Sequence, residues 1–284
     1  MNFPVAGVEL APWVPVVVAF VVSTFTSLGG VSGAFLLMPF QVSVLGFAGP
    51  AASATNHFYN VIATPGGVWR YAREGRLLWP LALVIVAGAI PGVWLGAWLR
   101  VHFLADPARF KLFLGAVLLY LGVRLVLDAR RARGEHASGR ITLHERSLRR
   151  ITYTFTGVHH TVRTAGLGVL SLGVGVIGGV YGIGGGALMA PFLVSVFRLP
   201  VHSIAGAALA ATFATSAAAV AGYTALSNDM SAAPDWALGL LFGLGGLAGT
   251  YLGARLQRRV PAGAIKLVLA VCCGVIAAGY FSAA

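Results

Sequence analysis

The chain has 284 residues, 58% of them hydrophobic and only 10% charged, and a formal net charge of +12. A soluble domain carries about a quarter of its residues as Asp, Glu, Lys and Arg, so this composition cannot clothe a water-exposed surface. The basic excess then reads as the cytoplasmic bias of a membrane protein rather than as a nucleic-acid surface.

Apolar segments are predicted at 12–28, 31–47, 50–69, 77–99 and 108–127, and again at 165–181, 187–199, 203–226, 236–254 and 264–282. Several approach or reach bilayer-spanning length, which predicts an all-α polytopic membrane protein. The first segment lacks the basic leader and small-residue cleavage site of a signal peptide. Between the fifth and sixth lies the one long polar stretch, "DARRARGEHASGR" followed by "ITYTFTGV", whose alternation predicts a short β-hairpin. The chain thus divides into a first membrane repeat at 1–127, a basic linker at 128–164 and a second membrane repeat at 165–284. Cys272 and Cys273 are adjacent inside an apolar segment, so no disulfide framework is indicated.

The two halves resemble each other. At an offset of 152, residues 30–44 match 182–196 at 8 of 15 positions, including Gly30, Gly33, Pro39 and Phe40. At an offset of 157, residues 79–99 match 236–256 at 9 of 21, including Trp79/Trp236, Gly92/Gly249 and Gly96/Gly253. About five transmembrane or re-entrant segments per half is an odd number, so the second repeat is inverted relative to the first. With the linker in the cytoplasm, 17 of the 20 basic residues fall on the cytoplasmic side, leaving Arg100, Arg109 and Lys111 outside. Both termini are then predicted outside the cytoplasmic (inner) membrane.

The matched cassettes are "GVSGAFLLMPFQVSV" at 30–44 and "GIGGGALMAPFLVSV" at 182–196. Glycines at a helix start let its unpaired N–H groups form a nest for a small anion without Lys or Arg. Pro39 and Pro191 each remove one helix bond, freeing the carbonyls of Phe35 and Ala187 and marking a kink or hinge. The competing reading is that these glycines only permit tight helix packing. A duplicated cassette in inverted halves points to a substrate site formed by Gly30, Ser32 and Gly33 with Gly182, Gly184, Gly185 and Gly186. No Asp or Glu lies inside a segment, which favours an anion over a cation as cargo. The third segment carries "SATNHFYNVIATP", with Asn56, Asn60 and Thr64 on one stripe; the eighth carries Thr212, Thr215 and Ser216. Asn56, Asn60, Thr212 and Ser216 are the expected side-chain donors. His57 is either a proton-coupling group or a neutral histidine bonded between helices.

Two further patterns are weaker. His159 and His160 lack accompanying ligands at a credible spacing, so no metal or cofactor is implied. "GVSG" matches the GxSG of rhomboid-type intramembrane proteases, with His57 as a nominal base for Ser32, but Ser32 aligns with Gly184 in the second half.

The duplicated G-[IV]-[GS]-G-[GA]-x-[LF]-x-x-P-F cassette, with five segments per half and a polar linker, resembles the TauE/SafE family of sulfite exporters and toluenesulfonate uptake permeases. The likeness runs from Val14 to Ala278; the first cassette departs from it at Ser32 and Ala34. What the resemblance implies is secondary transport of a small sulfur-containing anion (sulfite, thiosulfate or an organosulfonate), with proton coupling open. A passive anion channel on the same frame is the alternative. No enzymatic activity is expected, and the partners are the anion, membrane lipid and, in one arrangement, a second copy in a homodimer.

Overall fold

In a computed structural model, the described residues are 1–28, 32–131, 141–146, 149–155, 157–197, 199–226, 232–256 and 262–282. Two short strands, β1 (Asn2–Phe3) and β2 (Val8–Glu9), precede α1 (Trp13–Leu28), α2 (Ala34–Ser43), α3 (Pro50–Ala63), α4 (Pro65–Arg73), α5 (Trp79–His102) and α6 (Pro107–Arg131). Strands β3 (Ile141–Arg146), β4 (Arg150–Phe155) and β5 (Val158–Arg163) follow, then α7 (Thr164–Tyr181), α8 (Gly185–Ser195), α9 (Val201–Ala225), α10 (Trp236–Leu256) and α11 (Ala262–Ser282). Among the described residues, 6 helices are long and apolar enough to cross a membrane: α5, α6, α7, α9, α10 and α11. Trp13, Val17, Val21 and Phe25 along α1, and Val268, Val271 and Val275 along α11, face outward. Such apolar outer faces suit lipid rather than water.

The helices match the predicted segments with one division. The third segment is two helices, because Pro65 has no N–H to continue the ladder; it opens α4. The predicted hairpin is also larger than its sequence suggested. β3, β4 and β5 form a three-stranded antiparallel sheet in chain order. Ile151, Tyr153 and Phe155 of β4 are buried on one face, and the Tyr153 hydroxyl shares a 2.9 Å hydrogen bond with Ser203 of α9. His159 and His160 are neighbours on β5 and face opposite ways. His159 bonds Thr154, whereas His160 lies beside the Tyr153 ring, where burial pushes its pKa down.

Helix contacts run in the order α7, α5, α9, α3, α10, α1, with α8 on α7 and α9, α2 on α3, and α6 paired with α11. The closest pairs, α5 with α7 and α1 with α10, meet through backbone. A Cβ at Gly88, Gly92 or Gly96 would overlap the carbonyl oxygens of Gly168, Leu172 or Val176 on α7. At Gly245, Gly249 and Gly253 it would overlap those of Val16, Phe20 and Thr24 on α1. Small residues every fourth position remove the side-chain layer between two helices, the usual route to tight packing in a bilayer.

Gly92→Ala and Gly249→Ala are each expected to destabilise the protein by about 1–3 kcal/mol through overpacking. Gly279→Ala, where a Cβ meets open space, should change it by less than about 0.5 kcal/mol. Thermal unfolding in detergent measures all three, and equal behaviour would refute the backbone-contact account.

Candidate functional site

The turn between α7 and α8 needs two left-handed residues. Gly182 ends α7 at φ 92°, and Gly184 precedes α8 at φ 74°, ψ 148°, a region essentially closed to residues with a Cβ. Space is equally tight. A Cβ on Gly182 would lie 2.8 Å from the Ser53 carbonyl oxygen, and one on Gly184 2.7 Å from Ser216 Oγ. On Gly185 it would come within 2.8 Å of Ala89 Cβ, and on Gly186 it would overlap Ala208 and Thr212 of α9. All four glycines of the second cassette are therefore pressed against neighbouring helices, and the packing role is real. The Gly185 N–H, expected from the sequence to be bare, donates to Thr215 Oγ1 at 3.1 Å.

The last carbonyls of α7 have no helical partners of their own, and α3 supplies most of what they need. Ser53 Oγ donates to the Val180 carbonyl at 2.9 Å, His57 Nε2 approaches that of Gly179 at 3.3 Å, and Asn60 Nδ2 donates to that of Gly182 at 3.4 Å. Spacings of four and three residues put these side chains on one face of α3. Tyr223 of α9 adds a second donor to Gly179 at 2.8 Å. A carbonyl only accepts, so the His57 contact requires the Nε2–H tautomer. In the neutral ring Nδ1 then accepts from the Ser216 hydroxyl, 3.3 Å away.

The same helix also holds the first cassette. Gly30 lies outside the described residues. Ser32 Oγ donates to Asn60 Oδ1 at 3.3 Å and accepts from the Ala34 N–H. Gly33 packs away from this junction, where a Cβ would meet the hydrogen-bonded hydroxyls of Ser23 and Tyr59. Asn56 donates to the Ala34 carbonyl at 2.9 Å and accepts from Gln41 Nε2 at 3.3 Å. Asn60 is thus the residue on which both cassettes meet, Ser32 on its oxygen and Gly182 on its nitrogen. Asn56, His57, Asn60, Thr212 and Ser216 are all buried.

Pro39 sits inside α2 and Pro191 inside α8. The carbonyl freed by Pro39 has a partner from the other half: the Tyr181 hydroxyl donates to Phe35 at 2.6 Å. Thr212 spends its hydroxyl on its own helix, at Ala208, and contributes to the cradle by contact with Gly184 and Gly186. Ser32 and His57 hydrogen-bond to different residues, so the pairing a serine protease needs is not made. Sequence reasoning did not assign roles to Gln41, Ser53, Tyr181, Thr215 or Tyr223. Ser53 and Thr215 carry a signal, being polar in apolar segments. Tyr181 carries one only through its position just before the cassette. Arg100, read from sequence as an outer loop charge, instead belongs to α5 and is fully buried; a cation at the end of an apolar run looks the same in either place.

The profile of the family described as Sulfite exporter TauE/SafE matches residues 16–280. A probable membrane transporter protein of Xylella fastidiosa (strain Temecula1 / ATCC 700964) is 26% identical over 243 residues, covering 83% of this chain and 80% of its own. The probable membrane transporter protein YunE of Bacillus subtilis (strain 168) is 25% identical over 208 residues, covering 70% of this chain and 71% of its own. No solved structure matches significantly.

The Tyr181–Phe35 bond makes a direct test of the cassette's chemistry. Tyr181→Phe leaves the buried Phe35 carbonyl unpartnered and should cost about 1–2 kcal/mol. Adding Pro39→Ala restores a helical N–H to that carbonyl and should recover most of the loss. Thermal unfolding of the single and double variants reads the rescue; additive losses would mean that the proline does not create the vacancy.

Proposed function

The chain belongs to the sulfite exporter TauE/SafE family, and from that premise we propose that it is a secondary transporter of a small sulfur-containing anion, with sulfite, thiosulfate or an organosulfonate as cargo. The observation that carries this reading is Asn60, whose amide joins Ser32 of the first cassette to Gly182 of the second. A pair of broken helices converging on one buried polar side chain suits a midplane substrate site between repeats.

The helix contacts support the inverted-repeat reading, because they are reciprocal. α1 packs on α10 as α7 packs on α5, α10 on α3 as α5 on α9, and α2 on α3 as α8 on α9. In this reading residues 1–127 and 165–284 are the two membrane repeats and the basic 128–164 linker lies in the cytoplasm, with both termini outside. Gly182, Gly184, Gly185 and Gly186, opposite Gly30, Ser32 and Gly33, frame the anion with backbone. Asn56, Asn60, Thr212 and Ser216 donate to its oxygens once it displaces their present partners, and Pro39 and Pro191 absorb the movement. His57 carries the coupled proton. The Ser216 hydroxyl beside Nδ1 both donates and accepts, so the ring can gain a proton there without losing its partner.

Burial favours a carrier over a passive channel. His57 and Asn60 are 0% exposed, as a site that opens to one side at a time requires; a conducting channel needs a continuous wet path.

The test is uptake of labelled sulfite into proteoliposomes, with and without a pH gradient. We expect saturable flux with counterflow, abolished in Gly185→Leu, and flux that loses its gradient dependence in His57→Gln while counterflow persists. Unsaturable flux without counterflow would establish the channel. Flux that is unchanged in Gly185→Leu would reduce the second cassette to packing.

A further inference from the structure

Arg100 is a positive charge placed where it can serve an anion. It occupies the last turn of α5 and is 0% exposed. Its Nε donates to Ser53 Oγ at 3.2 Å, its Nη1 to the carbonyl of Leu104 and its Nη2 to the carbonyl of Ala48. The guanidinium carbon stands 3.5 Å from the centroid of the Phe110 ring. Every one of these partners is neutral. Among the described residues the ion pairs are Arg70–Glu74, Arg76–Glu74 and Arg124–Asp128, and none includes Arg100. Asp235 accepts from the N–H groups of Ala6 and Leu238 and Asp106 from that of Arg109, and neither carboxylate is paired with Arg100.

A buried cation held only by neutral groups is costly. If its task were only to tie the loops at Ala48 and Leu104 together, a neutral donor would do so without that cost. Its position suggests what the charge is for. Ser53, whose hydroxyl accepts from Arg100, donates that same hydroxyl to the Val180 carbonyl. The backbone of Ser53 lies against Gly182, close enough that a Cβ there would come within 2.8 Å of the Ser53 oxygen. The guanidinium is therefore one residue removed from the left-handed glycine of the second cassette.

We propose that Arg100 is the fixed counter-charge of the anion site: a positioning residue that does not touch the cargo, but whose uncompensated charge sets a positive potential over the cradle and makes it prefer dianions to monoanions. This inference rests on the anion-transport reading above. It accounts for a site built from glycines, amides and hydroxyls, since the charge is supplied from behind them through a dry interior where screening by salt is weak. With an effective dielectric of about 20 and a separation of roughly 10 Å, one positive charge is worth about tenfold in affinity per unit of anion charge. A dianion gains that factor twice and a monoanion once.

The experiment measures inhibition of labelled sulfite uptake by thiosulfate, a dianion, and by methanesulfonate, a monoanion, in proteoliposomes of the full-length protein. For Arg100→Gln, the thiosulfate inhibition constant should rise about tenfold more than that of methanesulfonate, collapsing the preference. Arg100→Lys, which keeps the charge but not the three-way donor fork, should hold both constants, and with them their ratio, within about twofold of wild type. A structural staple predicts the reverse: both constants moving in parallel in Arg100→Gln, and Arg100→Lys failing alike. Either result overturns the proposal. If Arg100→Gln does not fold, Arg100→Lys decides alone: both constants staying within about twofold of wild type support the counter-charge, and a parallel rise in both, or a collapsed ratio, refutes it. Wild-type protein that moves no sulfite and is not engaged by either anion would instead sink the transport reading, and the counter-charge with it.

Discussion

Direct backbone contact between helices is the constraint on which this fold depends. Along Gly88, Gly92 and Gly96 against α7, and along Gly245, Gly249 and Gly253 against α1, no side chain separates the two main chains. In a bilayer the lipid is as apolar as any leucine, so association must come from close packing and polar contact rather than from hydrophobic burial. Those two seams bring α5 and α10 in tightly, and α3 and α9 then meet in the middle. The polar stripes of α3 and α9 are buried because the seams leave no other place for them.

α3 is the hub of that interior. Its hydroxyl, imidazole and amide groups finish the end of α7, while its asparagines hold the start of α2. Broken helices expose backbone groups that hydrocarbon cannot satisfy, and here α3 supplies partners at both breaks, with Thr215 and Tyr223 of α9 and Tyr181 of α7 adding the others. The arrangement joins two demands that are usually separate: the groups that could greet a polar solute are the ones that hold the closed protein together.

Much of this was legible in the sequence, and the reason is periodic. Apolar runs located the helices, and the matched Gly92/Gly249 and Gly96/Gly253 pairs marked the seams without saying what they touched. Pro39 announced a vacant Phe35 carbonyl, because a missing N–H has only one helical addressee. What fills that vacancy was not legible: Tyr181 lies 146 residues away, and no local pattern records a long-range bond. The Gly185 N–H was expected to be open, and Thr215 occupies it, for the same reason. Arg100 misled by its address, since a cation three residues from a loop reads as solvated until folding shows the loop closing over it. The extent of the β-sheet was hidden too, because β3 takes its meaning from pairing with β4 rather than from its own alternation.

The phenol of Tyr181 has a mechanical consequence. A hydrogen bond inside a helix travels with that helix and survives any rigid-body motion. The bond from Tyr181 to Phe35 instead spans α7 and α2, so it persists only while those two elements keep their distance. Each separation of them must break it, and the abandoned oxygen must find water or another donor before the bond can re-form. A single hydroxyl therefore acts as a clasp whose release recurs in every such excursion, writing its own strength into the frequency with which the molecule lets go.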